Sequence, residues 1–168
     1  MSDNSSFALA PLTKVSAEYL EWMNDVRVRE YLESRFGSFS EDDLDLYIKQ
    51  CAHNANISLL GIFVGSVHIG NIKLNIDPRH WHADVGIVIG CKKYWGKGYG
   101  KKAVEQIKIT AQDKGLHKIY CGIHGNNLAS LALFKSCGFS HAGRLKEHYL
   151  HKGKYVDKMW MEYLIDAQ

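Results

Sequence analysis

The sequence predicts one α/β domain over residues 1–168, built on a mixed, mostly antiparallel sheet with helices on both faces. Three observations predict it. β-branched and aliphatic runs follow one another between Asn56 and Ile89, stretches of helical period flank them, and strand-length runs alternate with helices after Gly115. A chain of 168 residues suits a single core and leaves no room for a second catalytic domain. No repeat of 20 to 50 residues and no Pro/Ser-rich linker divides it.

Residues 7–12 (FALAPL) read as a short first strand. From Ala17 to Glu33, Leu20, Met23, Val26 or Val28, Tyr31 and Leu32 recur at helical spacing, and Asn24-Asp25 should break the stretch into two helical pieces. Ser40-Glu41-Asp42-Asp43 resembles a capping box. The serine side chain can accept from the amide three residues on while Asp43 reaches back, opening a helix to about His53 that buries Leu44, Ile48 and Cys51 or Ala52. ISLLGIFVG, SVHIGNIKLNI and ADVGIVIG form a three-stranded antiparallel meander, turned at Gly65-Ser66 and at Asp77-Pro78-Arg79-His80. Gly98 to Lys114 carries Ala103, Val104, Ile107 and Ala111 on one side, a helix stopped by Gly115. Residues 117–124 make a strand, Asn127 to Cys137 a helix and Phe139 to Gly143 a further strand. Residues 144–152 and 154–164 close the chain as a hairpin around Lys152-Gly153-Lys154.

Composition narrows the function. Lys and Arg exceed Asp and Glu by three, too small a surplus for a general polyanion binder. No run of about 18 apolar residues exists to span a membrane, and the polar, acidic start MSDNSS does not read as a signal peptide, so a cytoplasmic protein is expected. Cys51, Cys91, Cys121 and Cys137 are widely spaced, as reduced thiols are, and form no zinc knuckle. His80 with His82, and Cys121 with His124, do not make a coordination set, so no metal is expected.

The chain has fifteen glycines and two prolines, and five of the glycines fall between residues 86 and 100: Gly86, Gly90, Gly96, Gly98 and Gly100. Residues 92–118 hold eight lysines against two acids, a local surplus of six positive charges, while the rest of the chain is three negative. A lysine-flanked glycine loop between a strand and a helix lets successive amides point at an anion, which predicts a bound phosphate or pyrophosphate. The loop lacks the GxxxxGK-Ser/Thr string of a nucleotide triphosphatase. Gly98-x-Gly100-x-x-Ala103 fits a dinucleotide fingerprint only by force, because the strand ends near Gly90 and Lys118 stands where the ribose-binding acid should be.

Tyr94-Trp95-Gly96-Lys97-Gly98-Tyr99-Gly100 resembles the acyl-CoA pyrophosphate loop of the GNAT N-acetyltransferase superfamily, with Trp95 where Gln or Arg is usual. Asn127-Leu128-Ala129-Ser130 followed by Gly138-Phe139 resembles that family's next helix. Trp22-Met23-Asn24-Asp25 with Val28, Tyr31 and Leu32 is similar to the N-terminal helix of its ribosomal-protein, polyamine and amino-sugar acetyltransferase branch. The resemblance covers nearly the whole chain and implies an acyl-CoA N-acyltransferase fold with a splayed central strand pair.

It further implies acetyl-CoA as co-substrate and transfer to a primary amine on a protein N-terminus, a polyamine or a nucleotide amino sugar, by direct attack on the thioester. Carried over, backbone amides of Val88, Ile89 and Gly90 hold the pantetheine arm and polarise the thioester. The loop from Trp95 through Gly96, Lys97, Gly98, Tyr99 and Gly100 to Lys101 takes the pyrophosphate, and Asn127 and Ser130 contact the rest of the coenzyme. Asp84 is the candidate general base, directly or through water, or else fixes the acceptor's charge. Phe134 adjoins the coenzyme where the family often has a proton-donating tyrosine. Phenylalanine cannot donate, so water or another hydroxyl such as Tyr120 or Tyr149 must substitute.

The acceptor is expected between residues 31–40 and the 144–155 hairpin, with Tyr31, Phe36, His80, His82 and Tyr155 as contacts. Residues 16–50 carry nine acids against four bases, which would attract a cationic amine. Phe134 raises a competing class, a non-catalytic acyl-CoA-binding or interaction module of the same fold. Nucleic acid is not an expected partner, since the basic segment lacks interleaved aromatics, nor is a membrane. The oligomeric state stays open, with a homodimer among the options.

Overall fold

A computed structural model describes residues 6–165, so the first five residues of the N-terminal segment read above lie outside it. The strands are β1 (Phe7–Pro11), β2 (Ile57–Val64), β3 (Val67–Asp77), β4 (His82–Ile89), β5 (Lys118–His124), β6 (Ser140–His151) and β7 (Lys154–Leu164). The helices are α1 (Ala17–Met23), α2 (Glu41–Ala52), α3 (Tyr99–Asp113) and α4 (Leu128–Ser136). The strands form one sheet in the order β1-β2-β3-β4-β5-β7-β6, antiparallel throughout except for the β4–β5 pair. Among the described residues no helix is long and apolar enough to cross a membrane.

The meander and both amphipathic helices follow their sequence signals. Ser40 Oγ accepts from the Asp43 amide while the Asp43 carboxylate accepts from Ser40, so the capping box starts α2, which buries Leu44, Ile48 and Cys51. Ala103, Val104, Ile107 and Ala111 are all fully buried on α3. They join Ile72, Leu74, Ala83, Val85, Ile119 and Cys121 in the larger core, under α3 and α4. The other sheet face carries a second core of Tyr19, Trp22, Val28, Leu44 and Ile48 under α1 and α2. Gly90 lets these layers meet at the end of β4, where an added Cβ would stand 1.9 Å from the Trp22 ring.

Two expectations need correction. The second helical piece before Glu33 is instead a string of turns ending in a 3₁₀ turn, Glu33–Phe36. Asn24 explains it by bonding Phe39 through both amide atoms, while Asp25 Oδ1 accepts from the Arg27 amide, and those local bonds replace the next helical turn. Phe139–Gly143 and residues 144–152 are one strand, β6. Its register slips at His141/Gly143 and Leu145/Tyr149, with Glu147 at φ 49°, so two bulges bend the strand without ending it.

Candidate functional site

The site begins where two strands part. β4 and β5 pair at three positions, His82 with Lys118, Ala83 with Ile119 and Asp84 with Tyr120, and then diverge. Beyond them β4 stays bonded to β3 and β5 to β7, so a wedge opens between Ile89 and His124. The Gly90 amide donates to Ile69 O at 2.8 Å. In an antiparallel ladder residues two apart share a direction, so the Val88 amide also faces β3 and the Ile89 amide faces the wedge. The Trp95 indole N–H reaches Ile89 O from that side at 2.6 Å. This corrects the expectation for Val88 and Gly90: ladder pairing occupies their amides, and of the three only the Ile89 amide is turned to the gap.

The glycine loop stands at the wedge's open end, where Gly100 comes against Leu133 of α4 and Ile89 of β4. Gly96 and Gly98 sit at φ 68° and 82°. Gly98 is the N-cap of α3 and no side chain among the described residues caps that helix; the first-turn amides of Tyr99, Gly100 and Lys101 lack intrahelical acceptors. Lys97 and Trp95 are exposed beside them. Uncapped amides, the positive end of a 15-residue helix and flanking lysines suit a polyphosphate. Asn127 Oδ1 caps α4 by accepting from the Ser130 amide at 3.2 Å, leaving the Asn127 side-chain Nδ2 and the half-buried Ser130 hydroxyl for a ligand. Phe134 is 2% exposed and packed edge-on against Phe139, so it has almost no surface to offer one.

On the opposite face, a cavity of about 460 Å³ lies under α1 and α2 and reaches Gly86, Ile87 and Val88 on β4. Tyr19, Met23, Leu32, Phe39, Leu44, Tyr47 and Leu59 make it largely apolar, with Glu33, Asn71 and Lys73 as polar points. Residues 30–36 strap this lobe to the β6–β7 hairpin: Glu30 pairs with Lys152 at 2.5 Å, Tyr31 stacks on His151, and Arg35 donates to Leu150 O. Behind the strap, His124 lies flat on Tyr149, with centroids 3.7 Å apart, and meets the edge of Tyr31. Its ring is buried, and neither nitrogen has a hydrogen-bond partner among the described residues. An unmade bond of that kind costs about 1–3 kcal/mol.

Asp84 lies on this face at the closed end of the wedge, half-buried. Desolvation pushes its carboxyl pKa up against the opposing pull of Lys158 and Lys73. At about 3.3 Å per residue, roughly 13 Å of strand separate it from Val88. Burial and the neighbouring Asp84 also raise the Tyr120 phenol.

Of the expected acceptor contacts the structure brings only Tyr31 to the gap. His80 is exposed in the β3–β4 turn and His82 packs on Tyr120 at the closed end. Phe36 is exposed with Arg35 stacked on it. Tyr155 belongs to the other face, beside Asn126 and Met159, because alternation along β7 sets it opposite Lys158 and Trp160. Glu33 is not singled out by the sequence, which points to Tyr149 only as a substitute hydroxyl for Phe134 and to His124 only as half of a discarded metal pair with Cys121. The available signal was that His124 lies as far beyond Tyr120 as Val88 lies beyond Asp84.

Residues 7–140 match the acetyltransferase (GNAT) domain family. The spermidine N(1)-acetyltransferase of Vibrio cholerae serotype O1 is 27% identical over 158 residues, covering 92% of this chain and 90% of that protein. The fold superposes with a TM-score of 0.84 on the microcin C7 self-immunity acetyltransferase MccE in complex with acetyl-CoA and AMP, at 21% identity over 98% of this chain and 96% of that one. RimL, a ribosomal L7/L12 alpha-N-protein acetyltransferase in complex with coenzyme A, gives 0.83 at 16% identity over 98% and 97%. These two similarities speak for the fold.

Proposed function

The chain belongs to the GNAT acetyltransferase family, and we propose that it transfers the acetyl group of acetyl-CoA to a primary amine by direct attack on the thioester. The wedge carries this reading: strand pairing stops at Asp84/Tyr120, and the Ile89 amide is left facing a gap that ends at an uncapped glycine loop.

The Trp95 amide is spent on Lys92 O, so the loop from Gly96 to Lys101 takes the pyrophosphate on its amides, with Lys97 and Lys101 beside it, and Asn127 and Ser130 hold the coenzyme further along. The pantetheine arm then lies in the wedge. The Ile89 amide donates to the thioester oxygen, stabilising the developing oxyanion by about 3 kcal/mol. The acceptor occupies the cavity on the opposite face, drawn by the acidic surplus of residues 16–50, and presents its nitrogen at Val88. An amine arrives as ammonium at neutral pH and must lose a proton before it can attack. Asp84, reached through water, is the acceptor of that first proton.

The relatives act, by name, on spermidine and on a ribosomal protein N-terminus. A polyamine, a protein N-terminus and a nucleotide amino sugar are the acceptor classes proposed here. Thiol release from acetyl-CoA over a panel of these amines tests the reading. Release with at least one supports it. Tight coenzyme A binding without release across the panel would mark a binding module instead.

A further inference from the structure

Acetyl transfer moves two protons. The first leaves the ammonium before attack. The second is left on nitrogen once the lone pair has formed the C–N bond, while the C–S bond breaks and its electron pair departs on sulfur. Phe134 has no proton to give, and Tyr120 stands at the closed end of the wedge.

The parting strands place another group. Asp84 and Tyr120 are the last paired residues, so Val88 and His124, each four residues further, stand at the same level on opposite lips of the gap. Residues paired across parallel strands share a face, so both side chains project to the acceptor side. His124 is 3% exposed, and both of its ring nitrogens lack a hydrogen-bond partner among the described residues. Buried polar atoms nearly always have one. Tyr149 below and Tyr31 at the edge hold the ring without bonding it. The nearest carboxylate oxygen, Glu33 Oε1, is 3.9 Å from Nε2, and the Glu33 side chain is 73% exposed, so it can swing aside for an acceptor.

We propose that His124 carries the second proton, taking it from the acetylated nitrogen and returning it to the departing sulfur. The neutral imidazole receives the proton on its unprotonated nitrogen, the imidazolium gives one up to the thiolate, and the products are the amide, the free thiol and the neutral ring. No further reactant is consumed. The surroundings favour this cycle: burial, then the Arg35 guanidinium, push the ring from its ordinary 6.5 down to about 4 against the pull of Glu33, with His151 and His148 adding to the depression. Further out, Glu30 faces His151, and Lys158 lies near the Tyr149 ring. The ring therefore waits neutral, and its imidazolium is a much stronger acid than a thiol near 8.5.

The proposal rests on the acetyl-transfer reading, and the test separates the two. With an acceptor that the wild type turns over, His124→Gln should lower kcat about 100-fold at every pH from 6 to 9, with the acetyl-CoA Kd unchanged within twofold. In His124→Ala, added imidazole should restore about tenfold of the loss. A His124→Gln kcat within threefold of wild type overturns the carrier alone, whereas a wild type that releases thiol with no amine overturns the transfer reading and the carrier with it. Should both variants unfold by circular dichroism, the wild type decides. Saturating coenzyme A is expected to shift the ¹⁵N resonances of His124, and unmoved resonances would overturn the proposal.

Discussion

The two ends of the wedge are built from different material. At the end proposed for the coenzyme the groups on offer are backbone amides, freed by two glycines in the left-handed region and by a helix that no side chain among the described residues caps. At the end proposed for the acceptor they are side chains gathered from the strap, from α1, α2 and β3, and from His124 of β5 and Tyr149 of β6. A backbone cradle depends on a few contiguous residues and should fail abruptly when one is changed. A side-chain site spread over six elements should lose function in smaller steps.

The sharpest contrast should come from the loop. Gly98→Glu places a Cβ at φ 82° and a negative charge among the amides, so acetyl-CoA affinity should fall more than 100-fold by calorimetry. Gly98→Ala carries the strain without the charge and should lose about tenfold, which divides the two contributions.

Asp84→Asn probes the closed end. Its kcat/KM should fall about tenfold at pH 7, the deficit shrinking as pH approaches the amine's own pKa, with coenzyme Kd unchanged. The same variant should melt higher at neutral pH. Folding raises the Asp84 pKa, so this group favours the fold when protonated and loses that contribution as pH rises above the ordinary 3.8. The difference in melting temperature should vanish below that pH. A slower but more stable variant is the signature expected of a functional carboxylate.

His124 sharpens the acid side. Its folded pKa lies below its ordinary value, so the unfolded chain binds the proton first, and stability drains as pH falls from 6.5 toward 4, by on the order of 2–3 kcal/mol. Denaturant melts should show that limb in the wild type and its absence in His124→Gln. The smallest effect belongs to the strap. Glu30→Gln loosens the contacts to Lys152 and His151 and should raise the acceptor KM about threefold while leaving coenzyme affinity alone. A coenzyme affinity that moved with the strap would break the division between the two ends.

Most of the fold could be read before any coordinates because its signals are local. Ser40 to Asp43 starts α2, Gly115 stops α3 at φ 70°, and the buried face of α3 follows from spacing alone. What misled were places where distant groups overrule a local pattern. Asn24 bonds Phe39 and ends the helical period early, and bulges carry β6 through Gly143 as one strand. The acceptor contacts suffered in the same way. Its place in the 144–155 hairpin points Tyr155 toward the acceptor, but alternation along β7 turns it to the opposite face.

By itself, then, the sequence determined the meander, the amphipathic helices and the anion-binding loop, since each is written in residues within a few positions of one another. Tertiary structure alone decided which amide faces the gap and which imidazole stands across from it. Ile69 had to occupy the Gly90 amide before the direction of the Ile89 amide followed, and the pairing of Asp84 with Tyr120 brought His124 level with Val88. Such facts depend on register between strands, about 20 residues apart at Ile69 and Gly90 and more than 30 at Asp84 and Tyr120, a relation that no local pattern encodes.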